Sequence, residues 1–176
     1  MRVTRKQAAI NRQRIMDSAI RLIAQRGVDG VAVAEVMADA GFTHGGFYNH
    51  FASKDELVLE ACSTSFARAV GSLRDGNPLQ QAGDADFAAC LSAAMLNKSS
   101  KGNERLSAIS AKAINEFLDV LTDQYRDQDR AAAALAGLVG ARVISRAVEL
   151  ADRELADRFG AIAYLPDDQL RFHASS

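Results

Sequence analysis

The chain has 176 residues, of which 48 % are hydrophobic and 24 % charged, and its net charge is −1. This length and composition predict a folded soluble protein with a full core, in one large or two small domains. The longest apolar run, 131–141, is far shorter than the roughly 20 residues of a membrane-spanning helix, and the basic N-terminus lacks the hydrophobic segment of a signal peptide, so we expect a cytoplasmic protein without membrane contact.

Residue usage predicts an all-helical fold. Pro78 and Pro166 are the two prolines, alanine is frequent, and no valine- or threonine-rich alternating run is present. Alanine favours helices, whereas strands require such alternation.

The first two helices are marked by apolar stripes that end at glycines. From residue 15 to residue 23 apolar residues recur at i, i+4, i+7 and i+8, and Gly27 ends this helix. A shorter stripe from residue 33 to residue 40 ends at Gly41, which suits the left-handed residue after a helix. The second helix is too short to fold alone, so we expect it to pack on the first.

A third helix is predicted after Thr43, whose hydroxyl can accept from the free N–H groups of the first turn. Phe47 and Phe51 lie four residues apart and form a face that packs inward. The opposite face is polar and points outward. Its predicted residues are His44, Gly45, Tyr48 and Asn49.

Residues 53–56 have the Ser-x-x-Glu form of a capping box, in which the serine hydroxyl and the glutamate carboxylate satisfy each other's backbone amides. This box predicts a helix from Ser53 to about Arg74, ended by the turn that contains Gly76. The helix is expected to connect two domains, residues 1–52 and residues 53–176.

Residues 10–60 resemble the DNA-binding domain of the tetracycline-repressor (TetR) family of bacterial transcription regulators. The motif Thr-His-Gly-Gly-Phe-Tyr-Asn-His-Phe at 43–51 and the sequence Ser-Lys-Asp-Glu-Leu at 53–57 carry the resemblance. It implies a helix-turn-helix module whose third helix enters the major groove of DNA. The implied phosphate contacts come from Thr43, Tyr48, His50 and Lys54, and the implied base contacts from His44, Gly45, Gly46 and Tyr48, with Asn49 beside them.

The second helix departs from that family. Relatives usually carry threonine or serine at its start, where this chain has Val31-Ala32-Val33. A missing cap costs about 1 kcal/mol of helix stability, and a missing phosphate contact weakens DNA binding without changing sequence preference. Ala34 stands where some relatives reach a base, so specificity is expected to depend on the third helix.

Charge is divided unequally along the chain. Residues 1–54 contain eight basic and four acidic residues, a net charge of +4, whereas residues 55–176 contain thirteen and eighteen, a net charge of −5. A basic end is typical of polyanion binding, although solvated basic helix faces are also common. If it binds DNA, affinity is expected to fall steeply with salt.

Four further helices are predicted at about 86–96, 104–125, 131–150 and 152–165. They resemble the TetR regulatory domain loosely, and the segment 73–103 is shorter than in most relatives, which implies a reduced ligand chamber. The residues that could line a pocket for an apolar effector are Cys62, Phe66, Phe87, Leu91, Met95, Ile109 and Phe117. Taken singly, each is better explained as ordinary core. Cys62 with Cys90 could sense oxidants, although buried cysteines that only pack are much commoner.

The resemblance also implies a homodimer, in which the last two long helices pair with their copies. Small residues along the penultimate helix would let a facing helix approach, although they also occur where a helix packs inside its own subunit. The predicted interface consists of Gly137, Gly140, Ala141, Ile144, Leu155, Phe159 and Ile162. Two copies would read the half-sites of a palindromic operator about 34 to 36 Å apart, or a multiple of that.

No sequence motif predicts a catalytic residue, a metal site or a cofactor. The sequence contains no phosphate loop, no nucleophile elbow, no His-Glu-x-x-His and no Cys-x-x-Cys. His44 and His50 are six residues apart, so on one helix they cannot easily share a metal.

The sequence favours a DNA-binding transcriptional regulator, more specifically a repressor that a small-molecule effector releases from its operator. The alternatives are a helical interaction or scaffold protein and a small enzyme that uses Cys62 or a histidine.

Overall fold

The computed structural model describes residues 4–76, 91 and 103–162, and every regular element within these ranges is helical. Within these ranges, six multi-residue α-helices and one short 3₁₀ helix, named the 3₁₀ segment, follow one another. Their bounds are Arg5–Arg26 (α1), Val33–Asp39 (α2), His44–Asn49 (the 3₁₀ segment), Lys54–Arg74 (α3), Asn103–Tyr125 (α4), Gln128–Val148 (α5) and Arg153–Ile162 (α6). The predicted all-helical fold is confirmed.

Helix α1 begins well before its apolar stripe. The Thr4 hydroxyl caps its first turn by accepting from the backbone N–H of Gln7 at 3.2 Å. Buried residues start only at Ile15, which explains why periodicity predicted the second half of the helix alone. Gly27, with φ 76°, ends the helix as predicted, and its N–H donates to a carbonyl of the last turn at 2.8 Å.

Helix α2 is short, and hydrogen bonds close both of its ends. The predicted lack of a capping hydroxyl is confirmed, but the Glu35 carboxylate accepts from the backbone N–H of Ala32 at 3.0 Å and supplies half of a capping box. At the other end Gly41 has φ 81°, and its N–H and that of Phe42 donate to carbonyls of the last turn. This pair of bonds is a Schellman motif, which turns the chain sharply after α2.

The predicted third helix is a 3₁₀ helix and not an α-helix. Its hydrogen bonds span three residues, from the N–H of Gly46 to the carbonyl of Thr43 at 3.0 Å and from the N–H of His50 to the carbonyl of Phe47 at 2.9 Å. Thr43 stands at the N-cap position, but its hydroxyl accepts no capping hydrogen bond, contrary to the prediction. Two adjacent glycines lower the α-helical propensity of a segment only six residues long, which accounts for the tighter helix.

Helix α3 starts and ends where the sequence predicts. The Ser53 hydroxyl accepts from the N–H of Glu56 at 3.1 Å. The Glu56 carboxylate accepts from the N–H of Ala52 at 2.7 Å, one residue before the position that a capping box predicts. The helix ends at Arg74, followed by Gly76 with φ 81°.

One hydrophobic core extends from Ile15 in α1 to Leu135 in α5. Helix α1 packs against α2 and α3, α3 packs against α4, α4 against α5, and α5 against α6. Helix α3 therefore belongs to the packing of both halves of the chain. The predicted domain boundary between residues 52 and 53 stays a prediction, and it falls at the start of this shared helix.

The C-terminal helices match the predicted ones with shifted bounds. The side of helix α4 that faces the core carries the buried residues Leu106, Ala113, Phe117 and Leu121. Arg126, with φ 55°, turns the chain into α5, and the Asp127 carboxylate caps α5 by accepting from the N–H of Arg130 at 3.0 Å. The predicted helix at 86–96 lies outside the described residues except for Leu91, which is buried.

Helix α5 has more apolar length than its longest uninterrupted run suggests. Among the described residues it is the one helix long and apolar enough to cross a membrane by length and composition, with a mean hydropathy of 1.5. Only 17 % of that window is buried inside the chain. This low burial shows that α5 leaves apolar surface exposed in the single chain.

Candidate nucleic-acid interface

The 3₁₀ segment has a buried side and an exposed side. Phe47 and Phe51 are almost fully buried, and their rings stack with 5.7 Å between centroids. This predicted pair anchors the segment, which also packs against α2. The exposed residues at this site are Thr43, His44, Gly45, Tyr48 and Asn49, and Tyr48 is 70 % exposed. The polar outward side that the sequence predicts is therefore present, although the helix type differs.

The two glycines of the segment have different surroundings. A Cβ atom on Gly45 would meet nothing within 4 Å, whereas one on Gly46 would lie 3.6 Å from Cε of Met37 and 3.9 Å from Oγ1 of Thr43. Gly45 thus leaves open space on the exposed side. Gly46 faces α2, so the structure does not bring it to the outer surface with the other predicted base-contacting residues.

Two residues with hydrogen-bond donors, His50 and Lys54, lie just after the 3₁₀ segment. His50 is half-buried, and its ring centroid lies 6.5 Å from that of Phe42. Lys54 is half-buried and is the first residue of α3, where the helix dipole also favours an anion. A hydroxyl, an imidazole or an ammonium group can donate to phosphate oxygens. The predicted phosphate-binding residues therefore bracket the exposed side at Thr43 and at His50 and Lys54.

Ion pairs hold α1 against α3. Arg12 forms a two-pronged pair with Glu60, in which Nη2 donates to Oε2 at 2.6 Å, and Arg68 donates to Asp17 at 2.8 Å. Because residues 12 and 17 of α1 pair with residues 60 and 68 of α3, the two helices run in the same direction. The hydrogen bond from Arg12 holds the pKa of Glu60 below its ordinary value. The Arg12 guanidinium also lies 4.4 Å from the ring centroid of Phe51, which connects this pair to the anchored segment.

Ion pairs also hold α1 against α2. The Arg21 guanidinium and the Ser18 hydroxyl both donate to the carboxylate of Asp39, and Arg26 donates to Glu35 at 2.9 Å. The pKa of Glu35 is lowered mainly because its carboxylate accepts a hydrogen bond from the backbone N–H of Ala32. The nearby Arg26 guanidinium lowers it further. Much of the basic charge of α1 is therefore neutralised by carboxylates of its own chain.

The first turn of α1 is basic and exposed. Arg5 and Lys6 lie there, and the turn contains no acidic residue. Because α1 and α3 run in the same direction, this turn and Lys54 stand at the same end of the helix pair. Cations are unfavourable at a helix N-terminus, so a nearby polyanion would stabilise this arrangement. Sequence reasoning did not place this turn at the site, although the capping pattern from Thr4 to Gln7 indicates it.

Most of the described residues predicted for the effector pocket lie in the core. The fully buried members are Cys62, Phe66, Leu91 and Phe117. Ile109 is half-buried against the same cluster, and Phe87 and Met95 lie outside the described residues. The buried hydroxyl of Ser110, which the sequence reasoning missed, has no hydrogen-bond partner among the described residues. A polar group of this kind is available to a bound molecule.

A groove of about 620 Å³ lies between the C-terminal ends of α3 and α4. Its lining residues are Leu73, Arg74, Gly76, Asp119, Val120, Asp123 and Gln124. None of the predicted effector residues that the structure describes lines this groove, and its two aspartates do not suit an apolar effector.

The outer side of α5 carries part of the predicted dimer interface. A Cβ atom on Gly137 or Gly140 would meet nothing within 4 Å, and Ile144 is 41 % exposed. Ala141 is buried and packs within its own subunit, which corrects its assignment to the interface and follows the alternative left open by the sequence. The α6 members of the predicted set are the half-buried Leu155 and Phe159, and Ile162, the last residue of the helix that the structure describes.

Helix α2, the sharp turn after it and the 3₁₀ segment anchored by buried aromatic rings have the arrangement of a helix-turn-helix. Residues 15–61 match the family model described as "Bacterial regulatory proteins, tetR family". The match covers most of residues 10–60 and confirms their resemblance to the TetR family.

The known relatives share this domain with the chain. The HTH-type transcriptional regulator AcrR of Shigella flexneri is 41 % identical over 59 residues, which are 34 % of this chain and 27 % of that protein. The uncharacterized HTH-type transcriptional regulator YerO of Bacillus subtilis (strain 168) is 39 % identical over 51 residues, 29 % of this chain and 18 % of that protein. The match thus spans about a quarter or less of each relative.

Solved structures resemble the chain over most of its length. The fatty acid degradation regulator FadR from Bacillus halodurans has a TM-score of 0.54 and 14 % identity, and the match covers 92 % of this chain and 96 % of that one. FadR from Bacillus subtilis, solved with stearoyl-CoA, has a TM-score of 0.50 and 13 % identity, with coverage of 87 % and 96 %. At these identities the likeness shows the fold alone.

Proposed function

We propose that the chain is a homodimeric transcriptional repressor that binds operator DNA through the 3₁₀ segment and leaves it when a small molecule binds. The observation that carries the proposal is the exposed polar side of that segment within a domain of the TetR family. This role requires no catalytic residue, metal or cofactor, and it is performed in the cytoplasm.

Selection from random duplex oligonucleotides at low ionic strength tests the DNA binding. We expect enrichment of paired inverted half-sites with centres about 34 to 36 Å apart, or a multiple of that. Affinity should fall steeply as salt rises, because phosphate contacts release counterions. Enrichment of no paired sequence would overturn the proposal, and salt-tolerant binding of a protein through the same surface would favour a helical interaction protein instead.

Two substitutions separate phosphate contacts from base contacts. Lys54→Ala is expected to weaken binding to all sequences alike, because an ammonium group contacts phosphate without reading bases. His44→Ala is expected to change preference at particular base pairs, by roughly tenfold for each lost base contact. Lys112→Ala removes an equal charge from an exposed position on α4 and should change neither property. Indifference of duplex binding to both substitutions would contradict the assigned roles.

The homodimer is supported by the uncovered side of α5. The exposed residues of this helix between positions 132 and 147 are all apolar or small: Ala132, Ala133, Ala136, Gly137, Val143, Ile144 and Ala147. A facing copy of α5 can approach such a surface closely and bury it. Two copies also solve the weak binding of a lone helix-turn-helix, because each reads one half-site. Sedimentation equilibrium should give twice the chain mass without detergent, whereas partition into lipid vesicles would indicate a membrane helix.

The effector is proposed to bind among the buried apolar residues that α3 and α4 contribute. Cys62 and Phe66 on α3 and Phe117 on α4 supply apolar surface. The hydroxyl of Ser110, which has no hydrogen-bond partner in the described ranges, supplies a polar contact. Stearoyl-CoA, the ligand in the Bacillus subtilis FadR structure, is a first molecule to titrate against the operator complex. If no tested molecule changes operator affinity, the chain is a constitutive DNA binder.

Release from DNA would depend on α3, which starts next to the 3₁₀ segment and continues into the effector region. Ligand and DNA would then favour different settings of α3, and each would weaken the binding of the other by the same factor. Operator affinity measured with and without effector, and effector affinity measured with and without operator, should therefore change equally. Because this equality holds for any coupling at equilibrium, the size of the shared factor measures the coupling, and a factor of one would overturn the proposed release.

A further inference from the structure

Arg14 is an exposed arginine of α1 that pairs with no carboxylate in the described part of the chain. Its neighbours along the helix, Arg12, Arg21 and Arg26, each pair with a carboxylate of α2 or α3. The Arg14 guanidinium lies instead over the ring of Phe42, 5.2 Å from the centroid. The Arg14 guanidinium is therefore available to an anion, whereas those of Arg12, Arg21 and Arg26 are already paired.

Arg14 reaches from α1 to the turn of the helix-turn-helix. Its Nη2 atom lies 3.1 Å from the position that a Cβ atom on Gly41 would take, so the side chain crosses the left-handed residue that ends α2. The ring of Phe42 lies beside that of His50, and Thr43 follows Phe42 in the chain. Arg14 therefore stands beside the two residues that bound the 3₁₀ segment.

We propose that Arg14 is a phosphate-binding residue of the DNA interface, held in position by the ring of Phe42. This inference rests on the proposed DNA-binding function. A guanidinium stacked on an aromatic ring keeps the N–H donors at its edge free, and its fork matches the oxygens of a phosphate. No carboxylate in the described part of the chain competes for it. The site would bind a backbone phosphate next to those contacted by Thr43 and His50, and it would add affinity without sequence preference.

Arg14→Gln tests the assignment, with Arg68→Gln as the matched control. Arg14→Gln should weaken binding about tenfold to operator and to random duplex alike, and it should reduce the slope of log affinity against log salt by roughly 0.9 for each lost phosphate contact. Arg68 is an equally exposed arginine that pairs with Asp17, so its substitution removes the same charge without a predicted phosphate contact. The control should leave the salt slope unchanged.

The alternative is that Arg14 only clamps the turn after α2. A clamp predicts that Arg14→Gln lowers the melting temperature and leaves the salt slope at the wild-type value, and that result would overturn the inference. A phosphate contact predicts the reduced slope with a melting temperature close to that of the wild type.

Phe42→Leu tests the positioning by the ring. This variant keeps Arg14 but removes its aromatic support, so we expect a smaller loss of affinity than for Arg14→Gln and little further loss in the double variant. Independent losses that multiply would overturn the proposed positioning. If the wild type itself shows no salt-dependent duplex binding, the proposed function fails, whereas wild-type binding with an unchanged slope in Arg14→Gln refutes the assignment of Arg14 alone.

Discussion

At the scale of single residues, Gly45 is an exposed glycine that has room for a side chain and a backbone conformation that other residues can adopt. Its Cβ position is free within 4 Å, and its φ is not in the left-handed region. Gly45→Ala should therefore stabilise the fold by about 0.4–1 kcal/mol, because alanine restricts the unfolded chain. If the backbone approaches the groove here, the same methyl group should weaken operator binding roughly tenfold, the scale of one lost base contact. Urea unfolding and an operator titration of one preparation measure both effects.

Gly46→Ala is the matched control for that prediction. Its methyl group would make ordinary contacts with Met37 and Thr43, so we expect unchanged or slightly higher stability and unchanged DNA affinity. Equal losses of DNA affinity in the two variants would indicate a general disturbance of the 3₁₀ segment. Gly45→Ala with full operator affinity would contradict a close approach of the backbone to DNA.

At the scale of elements, the contact between α1 and α3 depends on a titratable pair. Glu60→Gln should lower the free energy of unfolding at pH 7 by about 0.5–1 kcal/mol, a modest value because both side chains are more than one third exposed. The folded-state pKa of Glu60 lies below its ordinary 4.5, so the stabilisation is present above pH 4.5 and is lost as pH falls through the folded-state pKa. Urea unfolding of wild type and variant should therefore converge at acid pH.

Glu116→Gln provides the control for the pH dependence. Glu116 pairs with Lys112 within α4 at 3.7 Å, and a pair of this kind on one helix contributes only about 0.3–0.5 kcal/mol. This variant should follow the wild-type stability closely at every pH. A gap between wild type and Glu60→Gln that persists at low pH would show that shape, and not charge, accounts for the Glu60 effect.

The sequence predicted those features of the elements that depend on neighbouring residues. Gly27, Gly41 and Ser53 end or begin helices as predicted, because caps are local structures. The helix type between His44 and Asn49 was not predicted, since it reflects a small balance between glycine flexibility and a missing cap bond. The ion pair between Arg12 and Glu60 joins residues 48 positions apart, and no periodic pattern in the sequence relates such residues.

At the scale of the whole molecule, one shared helix, α3, connects the anchored 3₁₀ segment to the C-terminal helices. The direction in which each face of α5 points, once α4 and α6 pack against the helix, could not be predicted from the sequence. Ala141 and Gly137 are only one turn apart, yet Ala141 is buried and Gly137 is exposed. Predicting such an assignment requires the rotation of the helix about its axis, which tertiary packing determines.

If the uncovered side of α5 forms the contact between subunits, a charge on it should prevent assembly. Ile144→Glu places a charge in the middle of an apolar surface, and burying an unpaired carboxylate costs several kcal/mol, so the variant should sediment as a monomer. Its helix content should be unchanged, because Ile144 is 41 % exposed in the single chain. Operator affinity should then fall to that of one half-site. Ala111→Glu, on an exposed position of α4, is the control and should remain a dimer. A dimeric Ile144→Glu variant would place the contact between subunits on another surface.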